Sequence, residues 1–155
     1  MAKTLRRAEA VDADAIRKLT RSVYAKWIAT IGREPFPMAA DYVKAVSENW
    51  IDLLEQDGKL LALVEMIPRD DHLFIENLAV AESEQGKGLG QMLLAHAEQT
   101  ARQAGFREVR LSTNHAFSSN LRFYEKRGYE PYETRLLNDG GTMVLFRIRV
   151  SERQP

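Results

Sequence analysis

The chain contains no cysteine. That excludes disulfides, a thiol nucleophile, an acyl-cysteine intermediate and any cysteine-ligated metal. Three histidines are scattered without metal-ligand spacing, so no metal site is expected. Neither sign of charge is in excess, with 22 Lys plus Arg against 22 Asp plus Glu. That balance leaves no footprint of a nucleic-acid or membrane-surface binder. No apolar run approaches the ~20 residues of a membrane span, and the start "MAKTLRRAEA" lacks the apolar core of a signal peptide. Repeats, low-complexity segments and linkers are missing, apart from a polar tail "SERQP". These absences predict a cytoplasmic protein. The length of 155 residues fits one domain over residues 1–155, and a hydrophobic content of 45% can build its core.

What is present is a regular alternation of elements. "TLRRA" reads as a short strand. Asp12 or Asp14 can cap a helix in which Ile16, Leu19, Val23 and Trp27 recur at helical spacing, ending near Gly32. "REPFPM" reads as a loop and "ADYVKAVSENW" as a second helix. "WIDLLEQDGKLLALVEMIP" is two apolar runs around "EQDG", a hairpin signal, and "DHLFIENLAV" is a third strand. A glycine-bearing turn leads into a helix that stops at Gly105. "EVRLSTN" is a strand, "SSNLRFYEKRG" a helix with Ser118 as its cap, and "TMVLFRIRV" a closing strand, with one more strand expected near "YEPYETRLL". Hairpins in the first half and a crossover in the second predict an α/β (α+β) mixed sheet with helices on both faces.

The turn is Gln85-Gly86-Lys87-Gly88-Leu89-Gly90. Glycines at a helix start suit a phosphate: unpaired N–H groups point outward, the helix dipole favours an anion, and a missing Cβ lets the backbone come close. A Walker loop would need Lys and Ser or Thr after its last glycine, where this chain has Gln91 and Met92. A dinucleotide fingerprint would need glycine at position 91, which is Gln. The following helix is amphipathic, with Leu89, Leu93, Ala97, Ala101 and Ala104 on one face.

The pattern Q-x-x-G-x-G resembles the acyl-CoA loop of the GCN5-related N-acetyltransferase (GNAT) family. Further along, "SSNLRFYEKRGYEPYE" is similar to the family's segment in which Asn begins a helix and "FYEKxGF" ends it, with Tyr129 replacing the final Phe. Two motifs in order and correctly separated are far more specific than either alone. The resemblance covers roughly residues 50 to 150. It implies the GNAT fold with six to seven strands, and acetyl-CoA as co-substrate. It assigns Gln85, Gly86, Lys87, Gly88, Leu89 and Gly90 to the pyrophosphate. It gives Leu78, Ala79 and Val80 to the pantetheine arm as an added-strand partner. Asn120, Phe123 and Lys126 are implied around the arm and its phosphates. The family's proline two residues after the Val is Glu82 here, so the loop entry is expected to differ.

Two residues carry the expected chemistry. Strand alternation puts Phe74, Glu76, Leu78 and Val80 on one side. A carboxylate in that apolar row invites explanation. An amine must lose a proton to attack, and an alkylammonium pKa of ~10 makes that costly at neutral pH. A partly desolvated Glu has a raised pKa and becomes a usable base. An ion pair with Arg107 or Arg110 is the plain structural alternative for Glu76. Tyr124, implied by the resemblance to face the CoA sulfur, would give a proton or hydrogen bond to the leaving thiolate; the alternative is a core aromatic beside Leu121. His115, after Asn114, is a rival base or a loop histidine without a role.

In the family the acceptor site varies. Tyr24, Trp27, Phe36, Tyr42 and Trp50 are concentrated before residue 51 and suit aromatic walls for a small amine, with Trp27 and Trp50 read as core cover. Arg33 and Glu34 are candidates to read a charged acceptor. The expectation is an acetyl-CoA-dependent N-acetyltransferase acting directly on a primary amine of a small molecule or a peptide or protein terminus. The rivals are a catalytically silent CoA-binding sensor and a nucleotide-dependent phosphotransferase. A homodimer is compatible with the family, and the sequence shows no decisive interface.

Overall fold

The structure is a computed structural model that describes residues 2–150; the polar tail "SERQP" lies outside the described residues. Seven strands form one mixed sheet in the order β1-β2-β3-β4-β5-β7-β6. β1 (Thr4–Arg7) pairs antiparallel with β2 (Trp50–Gln56), which pairs antiparallel with β3 (Lys59–Pro68). The β2–β3 turn is Asp57-Gly58, both at positive φ (54° and 74°), the pair that matches strand twist in a two-residue hairpin. β4 (Leu73–Val80) lies antiparallel to β3 and parallel to β5 (Glu108–Asn114). β7 (Thr142–Arg149) follows, and the extra strand expected near residue 130 is the edge strand β6 (Glu130–Leu136).

The helices cover both faces. α1 (Ala13–Tyr24) runs through a 3-10 turn, Ala25–Trp27, into α2 (Ile28–Ile31), and Gly32 at φ 76° ends the run as expected. Neither candidate aspartate caps α1. Asp12 binds Arg6 at 2.7 Å and the Glu9 N–H instead, and Asp14 pairs with Lys18 at 3.0 Å. One helical turn, α3 (Phe36–Ala39), stands where a loop was expected. Pro37 fits because the first turn has no intrahelical partner for the N–H it lacks. α4 (Tyr42–Glu48) is capped by Asp41, which accepts from the Lys44 N–H at 3.1 Å. α5 (Leu89–Gln103) and α6 (Ser118–Lys126) complete the set. Phe117, not Ser118, is the N-cap of α6, and no side chain caps it.

On one face α5 buries Leu89, Leu93, Leu94, Ala97 and Ala101 over β3, β4, β5 and β7, with Tyr124 of α6 beside them. Ala104, expected in that row, is the exposed C-cap. On the other face α1 and α4 lay Ile16, Tyr42 and Ala45 over Ile51, Leu53, Leu63 and Ala79.

Two departures from regularity in β4 matter most. β4 pairs with β5 only from Leu73 to Ile75, so among the described residues no strand partners its far edge beyond that point. The register against β3 also shifts: Met66 faces Ile75 and Glu65 faces Asn77, leaving Glu76 as a bulge. The expected row of Phe74, Glu76, Leu78 and Val80 is therefore broken. Leu73, Ile75, Leu78 and Val80 reach the α5–α6 side, while Ala79 packs toward α1 and α4 and Asn77 hydrogen-bonds there. An inserted residue reverses side-chain alternation on either side of it.

Candidate active site

Between β4 and α5 the chain makes its glycine turn. Gly86 and Gly88 sit at φ 82° and 83°, a conformation other residues adopt only under strain, and an added Cβ would meet nothing there within 4 Å. Gly90 has a different reason. Its Cβ would lie 3.1 Å from Cζ of Phe123, so its lack of a side chain lets α5 and α6 approach. The first helical bond of α5 is Met92 N–H to Gly88 O at 3.0 Å, which leaves the N–H groups of Leu89, Gly90 and Gln91 ahead of the ladder. No acidic residue occupies that turn. Gln85 braces the loop by donating to the Val80 carbonyl at 3.0 Å.

A cavity of about 460 Å³ opens at this turn, walled by Gly86, Gly88, Phe123, Arg127, Trp27 and Val80 among others. A second, of about 100 Å³, fills the opening between β4 and β5 and reaches Glu76, Asn77, Thr113 and Asn114. Tyr24, Leu78, Asn120 and Tyr124 line both. A linear ligand lying in the first would therefore present its end to the second at these four residues. Above the smaller cavity, Arg33 lies over the Phe36 ring at 4.5 Å and pairs with Asp139 at 2.7 Å, joining the segment after α2 to the β6–β7 turn.

The expected catalytic pair meets here. Tyr124 is buried among Phe123, Tyr129 and Phe146, and burial holds its phenol well above the ordinary range. Both its core packing and its place on the two cavity walls are therefore real. Glu76 keeps contact with solvent, yet the protein around it pushes its carboxyl above the usual carboxylate value. The cation whose field opposes that rise is Arg69. Arg110 instead pairs with Glu108.

Residues 15–129 match the Acetyltransferase (GNAT) family. The chain belongs to that family. Over 78 residues it is 33% identical to the uncharacterized protein YxbD of Bacillus subtilis (strain 168), a match covering 50% of this chain and 47% of that relative, so it spans about half of the relative's length. The fold is similar to the crystal structure of a GNAT-family protein from Desulfovibrio desulfuricans, with TM-score 0.80, 22% identity, and 97% and 100% of the two chains covered. It is also similar to a GNAT family acetyltransferase from Elizabethkingia anophelis with acetyl-CoA bound, with TM-score 0.68, 18% identity, and 95% and 97% covered.

In this GNAT chain the remaining expected residues divide. Leu78, Val80, Gln85, Gly86, Gly88, Leu89, Gly90, Asn120 and Phe123 line the larger cavity. Lys87 is paired with Glu84 at 2.7 Å, and neither it nor Lys126 is on the cavity wall. The Ala79 side chain packs on the opposite face. Arg127, not singled out from the sequence, is on the wall: its guanidinium lies 3.8 Å over the Phe123 ring, and its buried Nε has no partner among the described residues. Its place at the C-cap of α6, three residues after Tyr124 and four after Phe123, was the signal available. Tyr24, expected among the aromatic walls of the acceptor site, stands at the junction, its phenol raised by burial and by the nearby Tyr124. Trp27 is not sheet cover; it stacks on Phe117 at 4.5 Å and walls the larger cavity, whereas Trp50 packs against the core as expected. Glu34 is held by Arg21 at 2.7 Å, and His115 is an exposed loop residue. Among the described residues no group of three His, Asp or Glu is placed to hold a metal, and no helix is long and apolar enough to cross a membrane.

Proposed function

We propose that the chain is an acetyl-CoA-dependent N-acetyltransferase that passes the acetyl group directly to a primary amine. The observation that carries this reading is the meeting of two cavities at Tyr24, Leu78, Asn120 and Tyr124, one beginning at a helix N-terminus and the other ending at Glu76. The donor suits the residues present: three N–H groups ahead of the α5 ladder and the unpartnered Arg127 Nε favour an anion, and the unpaired edge of β4 can accept an amide-bearing arm. When bound, acetyl-CoA supplies the activated acetyl thioester. Glu76, or a water it holds, takes the proton of the attacking amine as the C–N bond forms. Tyr124 gives a proton to the sulfur that leaves with the electrons of the broken C–S bond. Lys87 stays proposed for the pyrophosphate, Lys126 for a CoA phosphate and the Ala79 backbone for the arm.

The test is thiol release from acetyl-CoA with a panel of primary amines. Release that depends on an amine, together with a rise in melting temperature with acetyl-CoA alone, is the expected result. A melting shift with CoA but no release with any amine would favour a CoA sensor. A shift with ATP and magnesium only would overturn the donor assignment.

A further inference from the structure

Beside Glu76 lies a third cavity of about 240 Å³, between α4 and the β3–β4 pair. It shares Phe36, Pro37, Glu76 and Asn77 with the small cavity at the β4–β5 opening, so the two adjoin. Its inner wall carries Glu65, 3% exposed within an apolar strand. The Glu65 carboxylate accepts one hydrogen bond, from Asn49 Nδ2 at 2.8 Å, and no cation among the described residues pairs with it. Burial pushes its carboxyl above the usual range; Asn49 opposes that and Glu76 adds to it. Asn77 stands directly opposite Glu65 on the strand pair and is 2% exposed. Its Nδ2 donates to Thr20 Oγ1 at 3.1 Å and to the Tyr42 oxygen at 3.3 Å. Tyr42 gives its own hydrogen to the Pro37 carbonyl at 2.7 Å, so its oxygen accepts from Asn77 and the amide is oriented. Asn77 Oδ1 is thereby left buried with no donor among the described residues.

The wall thus carries three acceptor groups: Glu65, with Asn49 as its one donor, Glu76, and Asn77, whose buried Oδ1 has no donor among the described residues. At the rim Asp41 and Glu48 outnumber a single cation, Lys44. A buried carboxylate lacking a cation, beside an amide oxygen lacking a donor, is costly unless something fills the space. The missing group is compact, positively charged and rich in donors, which describes an alkylammonium. We propose that this cavity holds the second, non-reacting ammonium of a small aliphatic di- or polyamine whose other amine is the acetyl acceptor. The inference rests on the acyl-transfer reading above. The small cavity at the β4–β5 opening continuing into this acidic third one suits an unbranched chain.

The test compares n-alkylamines with α,ω-diamines of matched length, using acetyl-CoA and the purified protein, and follows diamine binding by thermal shift without acetyl-CoA. The expected result is a kcat/KM preference for the diamine of roughly tenfold or more, collapsing in Glu65→Gln, which keeps an oxygen for Asn49 but removes the charge. Glu48→Lys, on the exposed face of α4, reduces the same preference without touching the core, and decides the matter if Glu65→Gln fails to fold. Equal use of mono- and diamines, or a preference that survives both substitutions, overturns the proposal and leaves acyl transfer standing. Absence of any acetylation, with a diamine thermal shift lost in Glu65→Gln, rejects the acyl-transfer reading but keeps the ammonium site. Absence of both overturns both.

Discussion

The side-chain amide of Gln85 donates to the carbonyl oxygen of Val80 at 3.0 Å, tying the glycine turn to the last residue of β4. In the proposed donor site, one braced unit would hold both the phosphates and the acyl end. A hydrogen bond of this kind has a net worth of about 0.5–1.5 kcal/mol. Gln85→Ala is expected to raise the KM for acetyl-CoA by about two- to tenfold. Gln85→Glu moves it the same way, because a carboxylate cannot donate. Steady-state kinetics and direct titration with CoA check both.

Two glycines of the same turn should fail differently. Gly88→Ala forces a side chain into a left-handed conformation at a cost of about 1–2 kcal/mol, with no clash. Gly90→Ala places a methyl 3.1 Å from Phe123 Cζ and pushes apart two helices that form the cavity wall, an overpacking cost of about 1–3 kcal/mol. Both lower the melting temperature. Phe123→Leu should restore stability to Gly90→Ala and not to Gly88→Ala, as a double-mutant cycle of melting would register.

The acid limb of activity should report Glu76. A base acts only when deprotonated, so kcat/KM falls as pH drops through its pKa. Burial raises that pKa, so the limb lies above the ~4.3 of a free glutamate. Glu76→Gln should lower kcat and abolish the limb. Tyr124→Phe should lower kcat by about a hundredfold or more while the acid limb persists. A pH profile of each variant decides.

Acid stability should follow Asp52. Burial alone would raise its carboxyl, but hydrogen bonds from His96 at 2.7 Å and Arg7 at 2.6 Å outweigh this and hold it below the ordinary value. A depressed pKa contributes stability that is complete above the unfolded value of ~3.9 and is lost as pH falls through the folded value. Asp52→Asn should cost about 1.5–3 kcal/mol at neutral pH, and the gap to wild type should narrow at strongly acidic pH. Denaturant unfolding across pH measures it.

Much of this was legible in the residues, because the two motifs obey local rules. A glycine turn before an amphipathic helix announces itself, and Asn120 and Tyr124 lie four apart on one helix, so both came out on the cavity wall. The bulge at Glu76 was not legible, since the alternation rule presumes an unbroken ladder and the extra residue shows only against β3. Glu65 was hidden inside "LLALVEMIP", where one charge in an apolar strand looks incidental until the tertiary fold buries it. Arg127 was passed over for its neighbour Lys126 because motif matching weighs position and not which way a helix turns.

The unpaired edge of β4 has one more consequence. A free strand edge is a template on which other chains add, and proteins usually blunt it with charge, proline or a covering element. Here the open edge faces inward, into cavities walled by Leu111, Phe117 and Tyr124, with Trp27 stacked on Phe117 at the side. A slender chain suits such an edge, whereas the side chains of a second strand would meet these walls. The same recess that admits a ligand shields this inner edge from use as a template by another strand, while the outer edges at β1 and β6 are exposed.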